Sequence, residues 1–169
     1  SFLSPLTVQN SGTINVAGTL NYSGTTLTTG ALSVIATTKI AIAGGTTIAP
    51  TGGNQLNIVL KADALDMSTG VTSAITINAG GGSIAIVSDT SLTPAATTYN
   101  ATYNRIYSAG GILTIAPFSN ASTIGVGVTG RTLNITTAIL NGTDSIFGNG
   151  GKFTGFVLGS ATQTGITTL

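Results

Sequence analysis

The chain has 169 residues, a formal net charge of +1 and only 5% charged residues, and it contains no His, Cys or Trp. This charge gives no electrostatic attraction to nucleic acid or to an acidic membrane surface. The missing cysteines exclude disulfides and thiolate metal sites, and no apolar run reaches about 18 residues, the length that a membrane-spanning helix needs.

Short runs rich in Val, Ile and Thr, separated by Gly or Asn, predict an all-β chain. Alternating apolar and polar residues give several of these strands one face toward a core. In chain order, strands are predicted at Thr13–Val16, Leu32–Ala36, Lys39–Ala43, Leu56–Ala62, Ala74–Asn78, Ser83–Val87, Ile112–Ala116, Thr132–Thr136 and Gly155–Leu158. The best place for a short helix is Ala95–Tyr107, although its Thr and Asn residues favour a loop.

A glycine-containing segment recurs along the chain. Ala43–Pro50 (AGGTTIAP) returns at Ala109–Pro117 (AGGILTIAP), and a third version lies at Ala79–Ile86 (AGGGSIAI). Repetition at irregular but similar intervals predicts a parallel β-helix, also called a β-solenoid, with coils of about 20 residues. Residues 1–169 are then a single β-solenoid segment and one unit of a longer fibre. The same interval separates four strand centres, at Ile14, Val34, Ile58 and Ile77.

The alternative fold is an immunoglobulin-like sandwich, which requires antiparallel hairpins. The solenoid explains the scarcity of charge better, because equivalent side chains in stacked coils lie about 4.8 Å apart and a repeated charge would repel itself. In the solenoid, glycines 44, 81 and 110 are expected at coil corners, some with positive φ. The residues expected to point into the core are Ile58, Ile77, Ile115, Ile135 and Phe156.

Residues 125–130 (GVGVTG) match the G-x-G-x-x-G pattern of dinucleotide-binding sites, and Asp144 follows at nearly the expected distance. A dinucleotide site needs a helix directly after the glycines. Here the next residues, Arg131–Thr137, alternate with a period of two and predict a strand. The three glycines are therefore interpreted as corner and close-packing positions of a coil.

Several segments carry a family resemblance. They are TIGVG at Thr123–Gly127, RTLNI at Arg131–Ile135, GFVLGS at Gly155–Ser160, TGI at Thr164–Ile166, QLNIVLKAD at Gln55–Asp63 and ITINAGGGSI at Ile75–Ile84. Together they resemble the β-helical repeats of filamentous-haemagglutinin-type surface proteins, over roughly residues 44–169. The resemblance implies a parallel β-helix, an extracellular or cell-surface location, and a role in adhesion or fibre building.

Parallel β-helices also include polysaccharide lyases and hydrolases, so a carbohydrate-binding or polysaccharide-degrading module is the alternative function. Glycosidases need two carboxylates about 5 to 9.5 Å apart. The closest pair in sequence is Asp63 and Asp66, which an extended chain places on opposite faces, and Lys61 is near enough to neutralise Asp63. We therefore assign no catalytic, cofactor-binding or metal-binding residue and predict that the chain is not an enzyme.

Three further kinds of site have weak support. The loop Asn141–Gly150 offers one carboxylate to a calcium ion. Ice binding is a second alternative function, but it requires Thr-x-Thr at the same place in successive coils, whereas pairs such as Thr25-Thr26 are adjacent and point to opposite faces. Glycosylation sequons occur at Asn21, Asn100, Asn120, Asn134 and Asn141, with Asn100 and Asn120 the better loop candidates and Asn134 a poor one within a strand.

We expect a structural segment of an extracellular adhesin shaft or of a self-assembling surface filament. Residues 1–12 and 155–169 are uncharged and contain no recognisable cap, and Ser1 indicates a processed unit. These ends predict head-to-tail stacking with identical subunits or with tandem repeats of the same chain. Host or cell-surface glycans are the other expected partners, and neither nucleic acid nor a membrane span is expected.

Overall fold

A computed structural model of the chain describes residues 1–24, 27–67, 74–89, 105–135 and 153–168. Within these residues the regular structure consists of sixteen strands and no helix. The strands are β1 (Leu6–Asn10), β2 (Thr13–Val16), β3 (Thr19–Tyr22), β4 (Thr29–Ala36), β5 (Lys39–Ile42), β6 (Thr47–Pro50), β7 (Gln55–Lys61), β8 (Ala64–Asp66), β9 (Thr76–Asn78), β10 (Ile84–Val87), β11 (Arg105–Tyr107), β12 (Ile112–Ala116), β13 (Ile124–Val126), β14 (Leu133–Ile135), β15 (Gly155–Leu158) and β16 (Thr167–Thr168).

The strands form four sheets. Sheet 1 has the order β1-β4-β7-β10-β12-β15, sheet 2 the order β3-β6-β9-β11, sheet 3 the order β2-β5-β8, and sheet 4 the order β14-β13-β16. Each of the first three coils places successive strands in sheets 1, 3 and 2. The predicted parallel β-solenoid is confirmed. The antiparallel sandwich is wrong, because every strand pair in the described residues is parallel.

The regular coils are longer than the predicted 20 residues. In sheet 1, Leu6 pairs with Leu32 and Leu32 pairs with Ile58, so successive coils are about 26 residues apart. The prediction of coil length failed because it compared strands of different sheets: Ile14 lies in sheet 3 and Ile77 in sheet 2. A coil of three strands and three corners needs the additional residues.

All nine predicted strands overlap a strand of the structure, and Thr13–Val16, Ile112–Ala116 and Gly155–Leu158 match residue for residue. Seven strands were not predicted, namely β1, β3, β6, β8, β11, β13 and β16. The loop expected over Ala95–Tyr107 is wrong at its end, because Arg105–Tyr107 is a strand of sheet 2. The remaining part, 95–104, lies outside the described residues.

Leucine and isoleucine side chains fill the interior in columns that run along the solenoid axis. In sheet 1 the register partners Leu32, Ile58, Ile84 and Leu113 are all at most 1% exposed. The alternation of the strands produces these columns, since every second residue of β4 from Gly30 to Ala36 is buried.

Four of the five predicted core residues are buried, namely Ile58, Ile77, Ile115 and Ile135. Phe156 is on the inward side as predicted but is 37% exposed. Phe156 is the register partner of the buried Leu113, so it continues the inward column, but it stands in the last described strand of sheet 1. Its exposure follows from its place at the end of the stack.

Buried polar side chains connect neighbouring coils at the corners. Asn54 is 4% exposed. Its side-chain oxygen accepts a hydrogen bond from the backbone N–H of Thr28 (2.9 Å), and its amide nitrogen donates to the carbonyl oxygens of Gly24 (3.1 Å) and Thr51 (2.7 Å). These bonds satisfy corner backbone groups that the sheets leave unpaired.

The repeated glycine segments lie at corners, as predicted. Gly44, Gly81 and Gly110 are in turns or bends between strands. Positive φ occurs one residue away from two of them, at Gly45 (79°) and Gly80 (69°). The corner assignment is therefore confirmed, whereas the positive dihedral lies on a neighbouring glycine.

Candidate functional site

The N-terminal end surface of the solenoid is apolar and is formed mainly by Val8, Ile14, Val16 and Leu20 of the first coil. Val8 is 38% exposed. These four side chains and Val34 of the next coil line most of a cavity of about 150 Å³. Val34 is the register partner of Val8 and is only 2% exposed, so Val8 belongs to a column of inward side chains. The cavity lies beside the first member of that column, where a further coil would continue the core.

Residues at the start of the chain cover a small part of this end. Phe2 forms a parallel bridge to Tyr22. Its backbone N–H donates to the carbonyl of Asn21 (2.9 Å), and its carbonyl accepts from the N–H of Ser23 (3.0 Å). The bridge covers the edge of β3. In the described residues, β1 and β2 keep a strand partner on one side only.

The C-terminal end surface is also apolar and includes Phe156 and Leu158 of β15 and Ile166, while Val157 of the same strand lies on the outer face of sheet 1. Phe156, Val157 and Ile166 are 37%, 44% and 65% exposed. Within the described part of the chain, β15 pairs only with β12, and β16 only with β13. No charged residue occurs from Gly155 onward. Among the described residues, this end therefore combines strands that have one described neighbour each with exposed apolar side chains.

The candidate carboxylates Asp63 and Asp66 have different surroundings. Asp66 forms an ion pair with Lys39 of the preceding coil, with an N–O distance of 2.6 Å. Asp63 is exposed, and Lys61 lies over the ring of Phe118, with its Nζ 5.9 Å from the ring centroid. The ion pair holds Asp66 on the outer side of sheet 3, next to the buried Leu65.

A third carboxylate, Asp89, organises the loop after β12. Its Oδ1 accepts a hydrogen bond from the backbone N–H of Phe118 (3.0 Å), and its Oδ2 accepts one from the hydroxyl of Ser122 (3.0 Å). Among the described residues, no group of three or more His, Cys, Asp or Glu side chains could hold a metal ion. The calcium candidate Asn141–Gly150, including Asp144, lies outside the described residues.

The glycines of the dinucleotide-like pattern form a tight connection between two parallel strands. Gly127 and Gly130 have φ values of 70° and 79°, and the strand that follows is β14 rather than a helix. A β-carbon on Gly125 would lie 2.7 Å from Cγ of Arg131. The positive φ angles and the close contact confirm the predicted corner and close-packing roles. A pyrophosphate site would need a helix N-terminus at this point, and a strand stands there instead.

The described sequons differ in their accessibility. Asn120 is exposed in a turn, and its Oδ1 accepts a hydrogen bond from the hydroxyl of Thr162 (3.2 Å). Asn134 lies within β14 and bonds through its side chain to both backbone groups of Arg131, in agreement with its predicted poor accessibility. Asn21 lies in β3, and the other two sequons lie outside the described residues.

Comparison of the chain with protein-family models, curated proteins and solved structures finds no match. The likeness to filamentous-haemagglutinin-type repeats therefore stays a prediction from the sequence. In the ranges that the structure describes, no helix has the length and apolar character needed to cross a membrane. The features available for a functional argument are the two apolar end surfaces and the lateral faces of the sheets.

Proposed function

We propose that the chain is a structural segment of an extracellular adhesin shaft or surface filament, extended along its axis by further coils that stack on its two end surfaces. The observation that supports this proposal is the distribution of exposed apolar residues. Of the seven large hydrophobic residues exposed in the described chain, five lie in the first and last described coils, namely Leu3, Val8, Phe156, Val157 and Ile166. Exposed apolar groups next to open strand edges are typical of surfaces that pair with another chain.

A second copy in the same orientation is the partner that continues the geometry of the sheets. If β1 of that copy adds to β15, Leu6 follows Phe156 and Val8 follows Leu158 in the inward columns of sheet 1. The edge N–H and C=O groups of both strands then gain partners. The two surfaces in contact are different, so the contact does not close on itself and repeats into a fibre.

The adhesin role and the extracellular location come from the family resemblance, and the solenoid is consistent with both. In this proposal the chain performs no catalysis. Incubation with acidic and neutral polysaccharides tests this point, since new reducing ends or unsaturated products would favour the polysaccharide-degrading alternative.

Sedimentation velocity over a range of protein concentrations tests the assembly. The wild-type chain should form concentration-dependent oligomers that persist at high salt, because the end surfaces are apolar and salt weakens mainly contacts between charges. Ile166→Lys should yield short soluble species. Leu27→Lys is the matched control, because Leu27 is 82% exposed at a lateral corner and should assemble as the wild type does.

A stable wild-type monomer at high concentration would contradict self-assembly. The segment would then extend only through further coils of the same polypeptide. Equal loss of assembly in the Ile166 and Leu27 variants would show that the contact does not involve the end surfaces.

A further inference from the structure

The outer face of sheet 2 carries an ordered array of hydroxyl and amide groups. Thr19 pairs with Thr47, Thr47 with Thr76, and Thr76 with Arg105, so three threonines followed by one arginine position form one column across four coils. Two residues further along the strands, Asn21 and Ala49 are register partners, as are Asn78 and Tyr107. We call Thr19, Thr47, Thr76, Asn21, Asn78 and Tyr107 the Thr/Asn face.

These side chains point away from the core. The residues between the two columns are Leu20, Ile48, Ile77 and Ile106, and the last three are at most 2% exposed. Because successive side chains of a strand point to opposite sides, the flanking threonines, asparagines and Tyr107 lie on the solvent side. The face spans four strands, or about 14 Å along the axis at the usual strand spacing.

The threonine hydroxyls of this face are free to bind a ligand. Thr46 and Thr51 use their hydroxyls to bond corner backbone carbonyls of the protein. The hydroxyls of Thr19, Thr47 and Thr76, by contrast, make no hydrogen bond with any described residue. A hydroxyl is both a donor and an acceptor, and an asparagine amide supplies both as well, although Oδ1 of Asn78 already accepts a hydrogen bond from the backbone N–H of Gly80 (2.7 Å).

We propose that the Thr/Asn face binds an extended neutral polysaccharide of the β-1,4-linked type, lying along the solenoid axis. Hydroxyl and amide groups match the hydroxyls of sugars, and the ring of Tyr107 supplies an aromatic surface for the apolar face of a sugar ring. Successive coils are about 4.8 Å apart, close to the rise per sugar of such a chain, so neighbouring coils contact neighbouring sugars. In the column that begins at Asn21, Ala49 interrupts the polar residues and Tyr107 is the last member. An ice lattice would need the same polar group at every position, so this column favours a glycan over ice.

This inference rests on the proposed function only for the extracellular setting, where such polysaccharides occur. The Thr/Asn face is lateral, whereas stacking uses the end surfaces. Binding and assembly are therefore measured separately, and either can fail without the other.

The binding test uses depletion of the protein from solution by microcrystalline cellulose and by chitin, and titration calorimetry with cellohexaose. Tyr107→Ala and the double variant Thr47→Val with Thr76→Val should each weaken binding by about three- to tenfold. Thr114→Val is the control, because Thr114 stands on the outer face of sheet 1 and its hydroxyl is also free of bonds to described residues. Sedimentation of the same variants should show unchanged assembly.

Failure of the wild-type chain to bind both neutral polysaccharides would overturn the proposal. Binding to alginate alone would also overturn it, because an anionic polysaccharide is then the ligand. Equal weakening by Thr114→Val would place the site elsewhere. Inhibition of ice recrystallisation without binding to either polysaccharide would show that the threonine column orders ice instead.

Discussion

Gly111 is the position where the chain has least room for a side chain. A β-carbon there would lie 1.8 Å from the carbonyl oxygen of Gly82 in the preceding coil. The hydroxyl of Ser108, which is fully buried, donates to that same oxygen (2.7 Å) and accepts from the N–H of Gly111 (3.1 Å). Gly111→Ala must therefore separate two backbone segments and stretch both hydrogen bonds.

Overpacking usually costs about 1 to 3 kcal/mol, and each hydrogen bond contributes about 0.5 to 1.5 kcal/mol. We expect Gly111→Ala to lower the free energy of unfolding by about 2 to 5 kcal/mol. The neighbouring Gly110→Ala is a matched control, because a β-carbon there meets no atom within 4 Å. The control should be neutral or stabilise the fold by about 0.4 to 1 kcal/mol, through the lower entropy of the unfolded chain.

Urea unfolding followed by circular dichroism measures both variants, with the m-value as a check that the same structure unfolds. A difference below about 0.5 kcal/mol between the two variants would refute the reasoning, since it is within the range of ordinary surface substitutions. It would mean that the corner can widen at little cost.

Three other substitutions test the core, the corners and the surface by the same unfolding assay. Ile77→Ala should cost about 2 to 5 kcal/mol because the side chain is fully buried, and a loss below about half a kcal/mol would show that Ile77 does not face the core. Ser108→Ala should cost about 1 to 3 kcal/mol because it leaves the carbonyl of Gly82 and the N–H of Gly111 without that partner, and stability equal to the wild type would argue for a replacement partner. Lys39→Ala should cost about 0.2 to 1 kcal/mol at low salt and less at high salt, and a loss independent of salt would assign the effect to packing.

The sequence predicted the fold class and the positions of the strongest strands because both depend on local composition. Both Thr13–Val16 and Ile112–Ala116 follow a glycine; the first alternates in polarity, and the second is a short apolar run that ends before Pro117. The unpredicted β3 alternates in polarity but is less apolar than these strands, and β8 is too short to show a pattern. Thr19–Tyr22 contains one aliphatic residue, and Ala64–Asp66 has only three residues. Their partners in neighbouring coils, rather than their own composition, make them strands.

The register of the strand pairs could not be predicted from the sequence pattern, and the candidate sites depend on that register. Thr19, Thr47 and Thr76 stand in unlike sequence contexts, and only the pairing of β3, β6 and β9 brings them into one column. An assumed coil of 20 residues could not align them. The exposure of Phe156 has the same origin, because its composition is that of a core residue and only its place at the end of the stack exposes it.

The register also explains how the solenoid accommodates its few charges. In a parallel stack each side chain lies beside its register partners, so a charge is tolerated where those partners are neutral or of opposite sign. Every charged strand residue in the described sheets has only uncharged register partners: Lys39 pairs with Thr13 and Ala64, Lys61 with Ile35 and Val87, Asp66 with Ala41, and Arg105 with Thr76. The ion pair of Lys39 with Asp66 is diagonal, one coil apart and two positions along. The low charge of the chain thus agrees with parallel stacking, in which like charges at register positions would repel each other.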